Sequence, residues 1–71
     1  MNPIHPKKLL NSKWTRIKPL NKLKHFSVVK VEYDENQKVV DCIIRAEYNN
    51  QESHIEWRQL KNASEWKQGW H

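Results

Sequence analysis

His25-Phe26-Ser27-Val28-Val29-Lys30-Val31-Glu32-Tyr33 is the stretch on which the fold turns. It is rich in β-branched and aromatic residues, and apolar side chains recur at every second position, which is the signature of a strand. Val29, Val31 and Tyr33 fall in one phase, with Phe26 and Val28 in the other, so the beginning of the strand is expected to be covered on both faces. Asp34 to Lys38 is polar and reads as a turn. Val39 to Tyr48 then repeats the pattern: Val40, Cys42, Ile44, Ala46 and Tyr48 share one face, while Asp41, Arg45 and Glu47 share the other with Ile43. One apolar and one wet face are what an antiparallel sheet presents.

Working outward, Asn49-Asn50-Gln51 supplies a tight turn, since Asn tolerates left-handed backbone. Glu52 to Leu60 reads as a further strand, which places Trp57 in phase with Ile55 and in the core. Beyond it, Asn62 and Glu65 are spaced as a capping box for a helix of at most two turns, with Trp66 and Trp70 on one side of it. Toward the N-terminus, Ser12 to Lys18 reads as a strand stopped by Pro19, followed by a loop from Pro19 to Lys24. Trp14 is out of phase with Ile17, and lies either on the outer face or under the N-terminal segment. Residues 1–11 are extended around Pro3 and Pro6, with one turn of helix begun by Pro6 that needs Leu9 and Leu10 docked on something. The expected fold is a single mostly-β domain spanning residues 1–71. It is a small antiparallel meander or partly open SH3-like barrel of four to five strands, with a short C-terminal helical turn. The 62–71 segment carries two of the tryptophans.

Size and composition narrow the function. A 71-residue chain with 37% hydrophobic residues has a small core, and four tryptophans extend it, because each ring covers about 150–250 Å². Cys42 is the only cysteine, so no disulfide framework exists within the chain, and a cytoplasmic location is expected. Neither a signal peptide nor an apolar run long enough to span a membrane is read in it. Charge is unevenly placed: residues 1–31 hold eight basic residues and no acid, whereas residues 32–71 hold all eight acids and five basic residues, giving +8 and −3 within the overall +5. This asymmetry implies an anionic partner for the first half, docking of the first half on the second, or a solvated face that keeps the protein soluble.

Several strings occur together: Asn2-Pro3-Ile4-His5-Pro6-Lys7-Lys8-Leu9-Leu10, Ser12-Lys13-Trp14-Thr15, Lys24-His25-Phe26, Trp57-Arg58-Gln59-Leu60-Lys61 and Trp66-Lys67-Gln68-Gly69-Trp70. In this combination the chain resembles a family of short tryptophan-rich bacterial proteins of unknown function, over nearly its whole length. The resemblance implies a bacterial cytoplasmic protein that occurs alone. It implies no activity, and it transfers no functional residue.

No enzyme is expected. His5, His25, His54 and His71 are scattered, and none has the spacing that a metal site needs, with Cys42 or without it. Cys42 lies mid-strand between Val40 and Ile44, where a thiol is buried rather than reactive. A single glycine, Gly69, excludes a phosphate-cradling loop, and no cofactor is called for. What remains is a binding module, expected as a monomer with no membrane partner. In one reading, RNA or single-stranded DNA contacts Lys7, Lys8, Lys13, Arg16, Lys22, Lys24 and Lys30 through its phosphates and stacks a base on Trp14, because lysines neutralise phosphates and rings stack bases. In the alternative, Trp66 and Trp70 dock a protein partner, since tryptophan is enriched at interface hot spots.

Overall fold

The computed structural model describes residues 2–20 and 22–71, with Leu20 represented by its backbone alone. Five strands form one antiparallel sheet in the order β4-β3-β2-β1-β5: β1 (Lys13–Leu20), β2 (Leu23–Tyr33), β3 (Val39–Ala46), β4 (Glu52–His54) and β5 (Trp66–Gln68). The mostly-β expectation holds, in its open form. The first four strands are a meander, and β5 returns to pair with the outer side of β1. Two 3₁₀ turns, Pro6–Lys8 and Trp57–Lys61, are the helical elements among the described residues.

The beginning of β2 is covered on both faces, as expected, since Phe26, Ser27 and Val28 are all buried, but the two apolar phases of the strand lie on the same side of the sheet. Val28 pairs with Ile44, but Lys30 pairs with Ile43, so Val29 is an extra residue in a β-bulge. A bulge moves the following side chains to the opposite phase. Phe26 and Val28 before it, and Val31 after it, therefore all reach the core. A second irregularity makes Val40 the extra residue of β3, because Glu32 pairs with Asp41 and Tyr33 with Val39. Val40 is accordingly exposed, not in line with Cys42, Ile44 and Ala46, and it is Val39 that packs on the core; Tyr48 is exposed because it lies past the end of β3, in the turn that follows.

Three further boundaries differ from the sequence reading. β1 runs on through Pro19, past the Trp14–Arg16 stretch that pairs with β5, and its register with β2 is irregular there, so the missing N–H breaks no regular ladder. The strands extend into the Pro19–Lys24 stretch expected as a loop, for Leu20 pairs with Leu23 and Lys22 lies at φ 66°; Asn21 is outside the described residues. The strand expected over Glu52–Leu60 ends at His54. The Glu56 side chain then accepts from the Arg58 amide and starts a 3₁₀ turn that buries Trp57 and Leu60. Residues three apart eclipse in this helix, so both reach the same side.

No helix forms over Asn62–Trp70. The Asn62 carbonyl accepts from the Glu65 and Trp66 amides in a single turn, after which Trp66–Gln68 joins β1. An isolated two-turn helix is marginal in water, whereas the strand gains a ladder and buries Trp66 edge-to-face on Phe26, with centroids 5.2 Å apart.

One face of the sheet carries the core. Leu9, Trp14, Phe26, Val28, Cys42, Ile44, Ala46, Trp57, Leu60 and Trp66 form a single cluster, with Ile4 and Ile55 packed against it. The N-terminal segment is fastened over this face by Asn2. Its amide donates to the Lys61 carbonyl, and its side-chain Nδ2 donates to the carbonyls of Leu60 (2.8 Å) and Trp66 (2.7 Å). Leu9 is fully buried, while Leu10 stays exposed.

The opposite face is polar and is crossed by the C-terminal residues. Gly69, at φ 82°, turns the chain off β5. The buried Thr15 hydroxyl then donates to the Gly69 carbonyl (2.7 Å) and accepts from the His71 amide (2.9 Å). Both hydrogen-bonding roles of that hydroxyl are thus satisfied.

Candidate nucleic-acid interface

Alternation along β1 divides its basic residues between the two faces. Lys13 and Thr15 point to the polar face, where the cross-strand rows are Lys13–Ser27–Arg45 and Lys67–Thr15–His25. The indole of Trp70 lies in this region and donates its N–H to the Phe26 carbonyl at 2.9 Å. The Lys13 ammonium sits 4.8 Å from the Trp70 ring centroid, and the His25 ring is 5.9 Å away. Trp70 is 47% exposed, making it the open tryptophan of the molecule. Arg16 points to the other face, with its guanidinium carbon 5.4 Å from the Trp66 ring centroid.

The predicted residues are brought together only in part. Lys13, Arg16, Lys22 and Lys24 belong to the β1–β2 hairpin, joined there by Lys18, which the sequence reading left out. Lys7 and Lys8 stand apart on the N-terminal 3₁₀ turn. Lys30 is bound to Glu32 at 3.0 Å, a contact that holds its ammonium protonated above the ordinary lysine range. Trp14 is removed from the set: it is 0% exposed, its N–H donates to the Ser12 hydroxyl at 2.8 Å, and it has no ring face open to a base. Trp66, at 2% exposure, is core as well, so the protein-docking pair is reduced to Trp70. Trp70 was the ring to find, and its signal was its position just after the only glycine.

Ion pairing sharpens the charge asymmetry. Among the described residues the close pairs are Lys30–Glu32, Arg45–Glu47, His54–Asp41 and Arg58–Glu56. Lys30 is thus the one basic residue of the first 31 that meets a carboxylate, and the first half does not neutralise itself on the acids of the second. The Ser27 hydroxyl donates to Glu47 at 2.7 Å and, with Arg45 and Lys13 nearby, holds that carboxyl below its ordinary range. A hydrogen bond from His54 does the same for Asp41. Both acids therefore remain ionised on the polar face well into acid conditions, and neither pairs with the hairpin cations.

Cys42 is buried under the sheet, and burial pushes its thiol up to about 11. Folded protein at neutral pH is expected to react with a thiol probe about 100-fold or more slower than the urea-unfolded chain, because thiolate is the reacting species. Equal rates in the two states would place the sulfur at the surface. No group of three or more His, Cys, Asp or Glu residues arranged to hold a metal ion occurs among the described residues. No helix among them is long and apolar enough to cross a membrane.

The family model described as "Tryptophan-rich protein (DUF2389)", a domain of unknown function, matches residues 12–71. The chain belongs to this family. The match takes in all five strands, the Trp57–Lys61 turn and the Gly69–Trp70 end, so the family's sequence pattern coincides with the sheet and its four tryptophans. The N-terminal segment held by Asn2 lies outside the match. No curated protein and no solved structure matches the chain.

Proposed function

We propose that the protein is a non-catalytic module for single-stranded nucleic acid, RNA or DNA, held by the cations of the β1–β2 hairpin. The observation that carries this reading is the gathering of Lys13, Arg16, Lys18, Lys22 and Lys24 on one hairpin with no carboxylate in salt-bridge range. Cations left unpaired on one element attract phosphates, and each phosphate contact releases a counterion. Trp70, with Lys13 over its ring, is the aromatic surface placed to meet a base.

Tryptophan fluorescence and anisotropy of a labelled single-stranded oligonucleotide test this. If all five cations engage phosphates, affinity falls on the order of 100-fold between about 50 and 200 mM salt. Replacing Lys22 and Lys24 by Gln then reduces the salt slope by about 1.4. Lack of binding at the lower salt, or a slope unchanged in the double variant, would leave the hairpin lysines as a solvated face.

A further inference from the structure

Beside the cationic hairpin, the sheet carries a half-open groove of about 310 Å³ that the N-terminal segment does not cover. Its floor is apolar, made by Leu23, Phe26, Ile44 and Ala46. Arg16 forms one rim, and Gln51 and Ser53 form the other. We infer that this groove receives one base of the bound strand, with Arg16 on the adjoining phosphate. The inference rests on the nucleic-acid reading above and adds to it the place where a base is held.

Four observations point to this occupant. The volume lies at the low end of small-ligand sites, about 300–1,000 Å³, which suits a single flat group rather than an extended ligand. Arg16 has no carboxylate partner among the described residues and is oriented by the Trp66 ring beneath it, so its planar fork is arranged before a phosphate arrives. The opposite rim is polar: Gln51 Nε2 and the Ser53 hydroxyl make no hydrogen bond to the chain among the described residues, and Gln51 Oε1 takes only a long one (3.4 Å) from Asn49. A carboxamide that both donates and accepts complements the edge of a base, and beyond that long contact these exposed groups have, among the described residues, no protein partner that a base would have to displace. Finally, the unpaired cations of the first half favour an anionic occupant over a neutral or cationic one.

The placement also explains why no sign of the site is visible in the sequence. Its floor comes from β2 and β3 and its rims from β1 and from the residues at β4, and no two of these contributions form a recognisable string.

The test compares two fluorescein-labelled probes of equal length: a deoxythymidine oligonucleotide and its abasic deoxyribose-phosphate counterpart. Both carry the same phosphates, but only the first has bases. Ser53→Trp fills the groove from its exposed rim, and Arg16→Gln removes the cation while leaving the floor intact. Wild-type protein is expected to bind the base-bearing strand about tenfold more tightly than the abasic one, the scale of one held base. Ser53→Trp should lose that preference while keeping the abasic affinity and a wild-type urea midpoint. Arg16→Gln should weaken both probes. If Ser53→Trp retains the full preference, the groove is not the base site, although the hairpin reading stands. If wild-type protein binds neither probe at low salt, the hairpin reading fails, and the groove assignment falls with it.

Discussion

Trp14→Ala is expected to lower the stability of the folded protein by about 3–5 kcal/mol. Trp14 is fully buried near the start of β1, with neighbouring strands on both sides, and shares a cluster with Leu9, Phe26 and Trp66. Truncating a buried tryptophan to alanine costs about 3–5 kcal/mol, from lost burial and from the cavity left behind. A domain of 71 residues has only roughly 4–10 kcal/mol of stability in total. The substitution also strands the Ser12 hydroxyl, which accepts from the indole N–H and itself donates to the Leu9 carbonyl at 2.6 Å. Urea unfolding followed by circular dichroism measures the loss, and Trp70→Ala is the matched control. Trp70 is half exposed, and its one hydrogen bond goes to a backbone carbonyl, so its removal should shift the midpoint far less. Equal midpoints for Trp14→Ala and wild type would mean that Trp14 is a surface ring and would restore it as a stacking residue.

Deletion of Val29 is expected to abolish folding altogether. The bulge at Val29 is what brings Phe26 and Val28 on one side of it, and Val31 on the other, to the same face. Without the extra residue, a one-residue change of phase turns every side chain of one half of β2 to the opposite face. Either Phe26 and Val28 or Val31 would leave the core, and β2 is the central strand, paired on both sides. Val29→Ala keeps the backbone count and removes only part of a half-buried side chain, so it should cost about 1 kcal/mol. Circular dichroism and amide dispersion in proton–nitrogen spectra distinguish the two variants. A folded deletion variant would show that β2 pairs with β3 without the bulge.

Much of the architecture was legible because period-two patterns are local. Alternation in residues 25–33 and 39–48 is enough to call the central hairpin, and the Asn-containing turn follows from backbone preference at Asn50. The charge division is equally plain, since it is a matter of composition. The elements misread are those whose conformation depends on a distant partner. Trp66–Gln68 is a strand because β1 lies open to it and Phe26 receives the Trp66 ring; the local spacing of Asn62, Glu65, Trp66 and Trp70 favoured a helix that has nothing to pack on. Residues 55–61 leave the sheet because the ladder with β3 runs out at His54 and because the Trp57 and Leu60 side chains close the core from outside the sheet.

The candidate site divides along the same line. The sequence by itself determined a small, mostly-β chain, the excess of cations in its first half and the burial expected of Cys42, because alternation, charge count and the absence of other cysteines are properties of neighbouring residues. Only the tertiary structure decided which cations share a hairpin, which tryptophan stays in water, and that Arg16, Phe26, Ile44 and Gln51 border one groove. The physical reason is that a side chain's exposure and its partners depend on register between strands far apart in the chain. Two single-residue bulges, at Val29 and Val40, set that register here, and neither leaves a mark in the alternation that can be told from an ordinary change of phase.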